Sequence, residues 1–355
     1  MTAGVQQFLP WQTAFASRWL HAPQRFAHAW LIHGLAGIGK RRFALAAAAS
    51  LLCEQPRDGL ACNTCQACRW VAGGNHPDLR RVRPEAVALE EGEGGEESES
   101  AARKTPSREI RVEQIRSLSG WFGTATHRGG WRVAVLYPAH AMNLIAANAL
   151  LKVLEEPPPH TVFLLVTDTP DQLLPTIVSR CRRLPLPVPE PQVAAQWLRE
   201  QGIEEPADWL SVAGGAPVRA LELARSGESP CPAWLQGFLG GVTRPGPDAA
   251  ADALAATADA LERIEPAIWL DGLQRAFVDL SLNAAGMPPR YFPSQATTLA
   301  TLAGRTNPAV LSDTAKWLGQ QRAVAGHPLS PRLFIHSVLQ RCALALGSRP
   351  ARRSA

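Results

Sequence analysis

The sequence has no apolar run long enough to cross a bilayer, and its first ten residues lack the basic head and apolar stretch of a secretion signal. These two absences predict a cytoplasmic protein. Lysine is also scarce, with four lysines against 32 arginines, a bias that genomic base composition explains better than a phosphate-binding surface does. No dense basic run is interleaved with aromatic residues, so the net charge of +5 does not by itself indicate direct binding to DNA.

The first half of the chain alternates short apolar runs with helical patterns. The runs at 29–33, 131–136 and 161–166 predict strands, and the segments 41–53 and 143–156 predict helices. With 46% hydrophobic and 19% charged residues, the composition is that of an ordinary globular protein. Apolar strands separated by helices indicate an α/β domain with a parallel sheet covered on both faces.

The second half contains no run that predicts a strand beyond residue 190, and a proline-rich boundary at 184–191 precedes it. Helical spacing recurs at 257–264, 266–282, 309–324 and 331–346. A chain of 355 residues is too long for one compact core. We therefore predict three domains, an α/β domain over 1–187, a small helical domain over 188–228 and a larger helical domain over 229–355.

An acidic segment interrupts the α/β pattern. Between Glu85 and Ser100 the sequence holds seven glutamates and three glycines but no positive residue. Such a segment has too little apolar surface to offset the entropy lost on ordering. We predict a mobile surface loop here, within an insertion over 85–108, and a role in binding a partner is the alternative.

Four of the seven cysteines lie within sixteen residues, at Cys53, Cys62, Cys65 and Cys68. The two overlapping Cys-x-x-Cys turns let three thiolates converge, and the fourth can complete a tetrahedron around zinc. A redox pair or free core thiols would not explain four cysteines at this spacing. The cluster therefore predicts a structural zinc module over 53–68, because no coordination position is left for water.

A glycine-rich loop follows the first predicted strand and precedes a helix. Gly34, Gly37 and Gly39 would let backbone N–H groups surround phosphate oxygens, and Lys40 would reach the terminal phosphates. The next residue should be Ser or Thr, whose hydroxyl ligates magnesium, but Arg41 stands there. A plain strand–helix turn without any ligand is the alternative for this loop.

The end of the second predicted strand lacks the carboxylates that a nucleotide-hydrolysing site requires. An Asp that holds magnesium and a Glu that activates water are expected there, but the chain has Tyr137 and Pro138. Without these acids and the hydroxyl, hydrolysis by this chain alone is not expected. Because Lys40 is retained, binding of ATP or ADP without hydrolysis stays an open alternative.

Arg180 lies after the third predicted strand, near the end of the α/β domain. On base rates it would be an ordinary surface or ion-paired arginine. In a nucleotide-binding fold, however, an arginine at this edge can reach a neighbouring subunit and stabilise charge on a transferring phosphoryl group.

Two motifs give the chain a family resemblance. The run from Asn148 to Pro158, followed by Ser179-Arg180-Cys181, resembles the signature of the bacterial clamp-loader family, and the cysteine spacing is similar too. The resemblance covers nearly the whole chain and is most specific over 28–185. ATPase members of that family would carry Ser or Thr at position 41 and Asp-Glu at 137–138, so this chain resembles the non-hydrolysing members.

The resemblance implies an architecture and a set of partners. The fold would be an α/β AAA+ domain of the P-loop type with an inserted zinc module, then a small helical lid domain and an all-α collar domain. The chain would be a rigid stator in a hetero-pentamer with the gamma or tau ATPase subunits and the delta subunit, within a DNA polymerase III holoenzyme. Arg180 would act in trans on the neighbouring ATPase site while the complex loads the sliding clamp onto primed DNA. The run from Gly215 to Leu221 looks like the ATP-sensing helix of the lid, but Val218 occupies the expected arginine position and Arg219 is one step away.

Two other functions fit parts of the sequence. An active AAA+ ATPase motor with an atypical magnesium site would require turnover by the isolated chain. A zinc-dependent nucleic-acid binder would show salt-sensitive DNA affinity without partner subunits.

Overall fold

The structure is a computed structural model, and it falls into two compact units, Met1–Ala194 and Ala195–Ala355. The residues that it describes are 6–21, 26–92, 105–122, 126–127, 130–227, 229–244, 247–325 and 330–347. In that part of the chain, no helix is both long enough and apolar enough to cross a membrane. The three predicted domains stay a prediction.

A five-stranded parallel sheet forms the centre of the first unit, in the order β2-β3-β4-β1-β5. Its strands are β1 Ala29–His33, β2 Leu79–Val82, β3 Arg132–Leu136, β4 Thr161–Thr167 and β5 Arg182–Pro185. The three predicted strands β1, β3 and β4 are confirmed, and all of them are almost fully buried. The sequence did not predict β2 and β5, because these edge strands carry paired arginines in place of an apolar run.

Helices cover both faces of this sheet, as the alternation of patterns predicted. The helices of the unit are α1 Pro10–Leu20, α2 Lys40–Leu52, α3 Gln66–Ala72, α4 Glu85–Glu90, α5 Val112–Phe122, α6 Leu144–Glu155 and α7 Pro175–Arg180, and α8 Pro191–Glu200 follows. One face packs against α5, α6 and α7 through a core that includes Leu150, Phe163 and Ile177. On the other face Trp19 of α1 contacts Trp30 of β1 and Phe43 of α2.

The prediction of a mobile loop from residue 85 is wrong for its first residues, which form α4. Pro84 precedes the helix, and Glu85 in the first turn suits the positive end of its dipole. The Glu85 carboxylate also accepts a hydrogen bond from the Ser107 backbone N–H at 3.1 Å and lies 3.3 Å from Arg111. These local contacts outweigh the acidic composition. The rest of the acidic segment, 93–104, lies outside the described residues.

The second unit is helical. Its helices are α9 Pro206–Val212, α10 Pro217–Arg225, α11 Ala233–Thr243, α12 Pro247–Leu261, α13 Pro266–Ala284, α14 Ala296–Ala303, α15 Pro308–Val324 and α16 Pro331–Leu346. Buried Trp269, Leu273 and Phe277 of α13 lie at the centre of its core. Within the described residues no strand occurs beyond Pro185, as predicted. The helix predicted at 257–264 begins earlier, at Pro247.

Candidate functional site

The glycine-rich loop connects β1 to α2 in the geometry of a phosphate loop. Gly34, Gly37 and Gly39 have φ angles of 146°, 78° and 87°, which residues with a side chain rarely adopt. A Cβ on Gly34 would also come within 2.7 Å of the Leu186 carbonyl oxygen. The glycines are therefore required by the backbone, whatever the loop binds.

Lys40 is turned back into this loop instead of projecting from it. Its ammonium donates to the carbonyl oxygens of Gly34 at 2.9 Å and Leu35 at 2.5 Å, and it forms an ion pair with Asp168. An ammonium has three donors, so these contacts satisfy all of them within the protein. The side chain is only 4% exposed, and burial lowers the pKa of Lys40 against the opposing effect of Asp168. A phosphate would have to displace existing partners of Lys40.

Helix α1 holds the same loop from outside. The buried Gln12 amide donates to the carbonyl oxygens of Ile38 at 3.0 Å and Gly39 at 3.2 Å, and the Trp11 indole N–H donates to the Ile38 carbonyl oxygen at 3.2 Å. These bonds fix the loop in its present shape without any ligand.

The Glu91 carboxylate contacts both Arg41 and Tyr137, the two positions at which an active ATPase is expected to carry magnesium ligands. Glu91 Oε1 lies 3.3 Å from Arg41 Nη1, and Glu91 Oε2 accepts a hydrogen bond of 2.9 Å from the Tyr137 hydroxyl. Arg83 Nε lies 2.8 Å from the same Oε2 atom. Arg41 and Tyr137 stand at the two positions where the sequence pattern of an ATPase predicts magnesium ligands, and both contact Glu91.

Most of this network is removed from water, although Arg41 at its edge is half exposed. Arg83 is 8% exposed, Glu91 is 14% exposed and Tyr137 is buried. Burial raises the pKa of the Tyr137 phenol well above its ordinary value, so the hydroxyl stays protonated and donates to Glu91. Two guanidinium groups and a neutral phenol do not ligate a divalent cation, and the one carboxylate of the arrangement, Glu91, is already engaged by Arg41, Arg83 and Tyr137.

Replacing Glu91 with alanine is expected to lower the free energy of unfolding by about 3 kcal/mol. The change leaves the Arg83 charge buried without this carboxylate, which is the costly way to break a buried pair. Urea unfolding followed by circular dichroism measures the difference.

The matched control for this experiment is Glu90→Ala. Glu90 is the exposed last residue of α4 and directly precedes Glu91, and its replacement removes the same charge. An effect within about 0.5 kcal/mol is expected for it. Equal effects of the two variants would contradict a structural role for the Glu91 network.

Arg180 lies at the end of α7, with its side chain 35% exposed. Its Nη1 donates to the Thr176 carbonyl oxygen at 3.0 Å, and its Nη2 donates to Glu155 Oε1 at 2.6 Å. Burial of Ile177 anchors the short helix against the core. The guanidinium is thus held at the surface, where another subunit could contact it.

The lid residues singled out from the sequence lie in the second unit. Arg219 of α10 is about half exposed and lies 3.5 Å from Glu222, three residues further along the same helix. Val218 precedes it in the first turn of α10 and is partly buried.

The four cysteines converge as predicted. The sulfur atoms of Cys53, Cys62, Cys65 and Cys68 all lie within 4.8 Å of one another. A tetrahedral site with bonds of about 2.3 Å has sulfur–sulfur edges of roughly 3.8 Å. The Sγ atoms of Cys53 and Cys65 are 3.9 Å apart, which suits such a site. The four thiols could therefore hold one metal ion.

Local hydrogen bonds prepare the cluster for a metal. Hydrogen bonds from the Thr64 hydroxyl and from the backbone N–H groups of Thr64 and Cys65 lower the pKa of the Cys62 thiol, whereas burial raises the pKa values of the Cys53 and Cys68 thiols. The loop around the cluster is fastened to α2, where the Ser50 hydroxyl accepts a bond of 3.1 Å from the Ala61 N–H. It is also fastened to α1, where the Ser17 hydroxyl donates to the Asp58 carbonyl oxygen at 2.7 Å.

Sequence reasoning missed three acidic side chains and one amide of the site, namely Asp168, Glu91, Glu155 and Gln12. Asp168 follows β4 directly, and a carboxylate at the carboxyl end of a strand next to β1 was a usable signal. Glu91 was hidden in the acidic run, and Glu155 in an exposed helix end. Nothing in the local sequence distinguishes Gln12 as a residue that contacts the loop.

The fold and this site define the class of the protein. A five-stranded parallel α/β core with a phosphate-type loop after β1, followed by helices, is an AAA+-like nucleotide-binding fold. The family model described as "DNA polymerase III, delta subunit" matches residues 16–190.

Individual proteins that are similar in sequence to this chain are subunits of DNA polymerase III. The DNA polymerase III subunit delta' of Pseudomonas aeruginosa is 41% identical over 222 residues, 61% of this chain and 62% of that protein. The delta' subunit of Escherichia coli is 34% identical over 199 residues, 55% of this chain and 54% of that protein. The tau subunit of Escherichia coli is 34% identical over 157 residues, 44% of this chain and 21% of that protein. The chain is similar to delta' and tau subunits of DNA polymerase III, and it matches less than two thirds of the length of each of these relatives.

Proposed function

We propose that the chain is a non-hydrolysing stator subunit of a clamp loader and supplies Arg180 to the ATP site of an adjacent ATPase subunit. In this role it works beside gamma or tau ATPase subunits and a delta subunit in a hetero-pentamer. The assembled complex places the sliding clamp on primed DNA. The similarity to delta' and tau relatives supports this choice of partners.

The observation that carries the proposal is the replacement of the magnesium site by the Glu91 network. Arg41 and Tyr137 stand where the hydroxyl and the carboxylate would be, and both contact Glu91. Lys40 is fully engaged with Gly34, Leu35 and Asp168. These contacts oppose hydrolysis within this chain and argue against the ATPase motor.

The exposed arginine supports the donor role. Arg180 keeps a surface position on a well-anchored helix, so its guanidinium can approach a phosphoryl group of a neighbouring subunit. A guanidinium is always charged and offers several donors in a fixed plane, which suits the oxygens of a transferring phosphoryl group.

The four-cysteine cluster has a structural part in this function. We assign zinc to it, because four cysteine sulfurs within 4.8 Å of one another suit the tetrahedral sites that are typical of structural zinc. Cys53, Cys62, Cys65 and Cys68 would hold the ion and fasten the loop beside α1 and α2. The ion would keep this part of the stator rigid and take no part in hydrolysis.

The isolated chain is expected to release no phosphate from ATP. Nucleotide binding is expected to be weak and independent of magnesium, because both carboxylates of the site are already paired, Asp168 with Lys40 and Glu91 with Arg41 and Arg83. Titration calorimetry of ATP with and without Mg²⁺, together with a phosphate-release assay, measures both properties. The ATPase subunit of the same organism serves as the positive control.

Two results would contradict the proposal. One is steady phosphate release by the isolated chain above the rate of the buffer. The other is a substantial strengthening of ATP binding by Mg²⁺. Either of them would mean that the site uses a magnesium-binding arrangement other than the one these contacts exclude.

A further inference from the structure

We infer that Glu155 is the positioning residue of the Arg180 finger. This inference rests on the proposed function of Arg180 and adds the residue that holds the finger ready before the neighbouring subunit docks. The two side chains are 25 positions apart in sequence, on the ends of α6 and α7. Only the packing of these helices brings them together.

The contact has the geometry of a strong charge-assisted hydrogen bond. Arg180 Nη2 lies 2.6 Å from Glu155 Oε1, and Nη1 is held separately by the Thr176 carbonyl oxygen at 3.0 Å. Two anchors on one planar group fix its orientation, which neither could do alone. The Thr176 carbonyl oxygen of α7 therefore fixes the position of Nη1, and the Glu155 carboxylate of α6 fixes the position of Nη2.

The anchored guanidinium still has donors to offer. It carries five N–H donors, and the two bonds described above leave three. The side chain remains 35% exposed, so an oxygen of a neighbouring phosphoryl group can reach it without first breaking the pair. Holding the side chain in advance reduces the rotamer entropy that an arginine loses when it engages its target.

Both helix ends are themselves fixed to the core. Leu154 precedes Glu155 in α6 and is buried, and Ile177 of α7 is fully buried in the same cluster. Pro157 follows shortly after α6 and prevents the helix from extending. The pair thus connects two rigid elements, as a positioning contact requires.

The test uses the reconstituted loader with Glu155→Ala in this chain and Glu156→Ala as the matched control. Glu156 is exposed, follows Glu155 directly and loses the same charge in the control. Because the pair is partly exposed, we expect Glu155→Ala to lower kcat at the bordering ATP site by about two- to five-fold. The KM for ATP and assembly of the complex are expected to stay at wild-type values, since the finger acts on the transition state.

A double variant separates positioning from a general structural role. In an Arg180→Ala background, Glu155→Ala is expected to have no further effect on kcat, because the group it positions is gone. A helix-stability role of Glu155 would persist in that background. If Glu155→Ala behaves as Glu156→Ala does, raises kcat or lowers it equally in both backgrounds, the positioning role is overturned.

The Arg180→Ala variant alone shows whether a failure concerns the positioning role of Glu155 or the finger role of Arg180. If Arg180→Ala lowers turnover and Glu155→Ala does not, only the positioning role fails and the proposed function stands. If Arg180→Ala leaves turnover unchanged in an intact complex, the finger role itself fails, and the inference about Glu155 fails with it.

Discussion

Arg180→Ala is expected to abolish ATP hydrolysis at one site of the assembled loader while this chain remains folded and in place. A trans-acting arginine is worth about 10³–10⁵ in rate at the site that it completes. Rapid-quench measurement of the first turnover should therefore show a burst smaller by about one ATP per loader. Total steady-state turnover falls by less if the other sites hydrolyse independently.

The variant should not disturb the fold, for structural reasons. Arg180 is a partly exposed residue at the end of α7, and its only ion pair in the described residues is with a half-exposed glutamate. Such surface pairs contribute about 0–1 kcal/mol to stability. Ile177, which anchors the helix, is untouched.

Arg219→Ala is the matched control for charge. Arg219 is also an exposed arginine paired with a glutamate, but it lies on α10 in the second unit. Its replacement should leave the burst unchanged. Arg180→Lys, which keeps the charge but not the planar donor group, is expected to recover only part of the lost rate.

Removal of the metal from the four-cysteine cluster is expected to lower the thermal midpoint of the protein by roughly 10 °C or more. Structural zinc contributes several kcal/mol to folding, and each kcal/mol shifts the midpoint of a domain of this size by a few degrees. The apolar support of the cluster is small, with only Ala49, Cys62 and Cys68 buried in it among the described residues. The loop between Cys53 and Cys65 therefore depends on the metal for its structure. Differential scanning calorimetry before and after a chelator, with metal analysis of the same sample, measures the effect.

Two cysteine variants make this experiment specific. Cys68→Ala is expected to lose the metal and to show the low midpoint without any chelator. Cys181→Ala alters a buried cysteine of the same unit outside the cluster, and it should keep one metal ion per chain. A wild-type protein without bound metal, or an unchanged midpoint after complete chelation, would contradict the zinc assignment.

The parts of the fold that were predictable are those in which local pattern and burial agree. Strands β1, β3 and β4 lie inside the sheet and are nearly continuous apolar runs, so their sequence alone identifies them. The edge strands β2 and β5 have one neighbour each and expose arginines, so they lack that signal. The helix after Asn143 was predictable, because Asn143 caps it through a 2.9 Å bond and prolines follow its end.

The candidate site was predictable only where the spacing of residues within one short segment indicates what they bind. The cysteine turns and the glycine loop each lie within a short segment, and their geometry follows from the segment itself. Glu91, by contrast, is far from Arg41 and Tyr137 in sequence. It contacts them only because the fold places the end of α4 beside both residues. The sequence shows that the magnesium ligands are missing, but only the tertiary structure shows what replaced them.

The most direct test of the account compares two variants of this chain in the same reconstituted loader. Lys40→Met removes the one retained phosphate-loop charge, and Arg180→Ala removes the finger. If the chain donates to catalysis without performing it, the burst of ATP hydrolysis per loader is normal with Lys40→Met and reduced with Arg180→Ala. A normal burst with Arg180→Ala and a reduced one with Lys40→Met, both in intact complexes, would place a working ATP site in this chain and contradict the account.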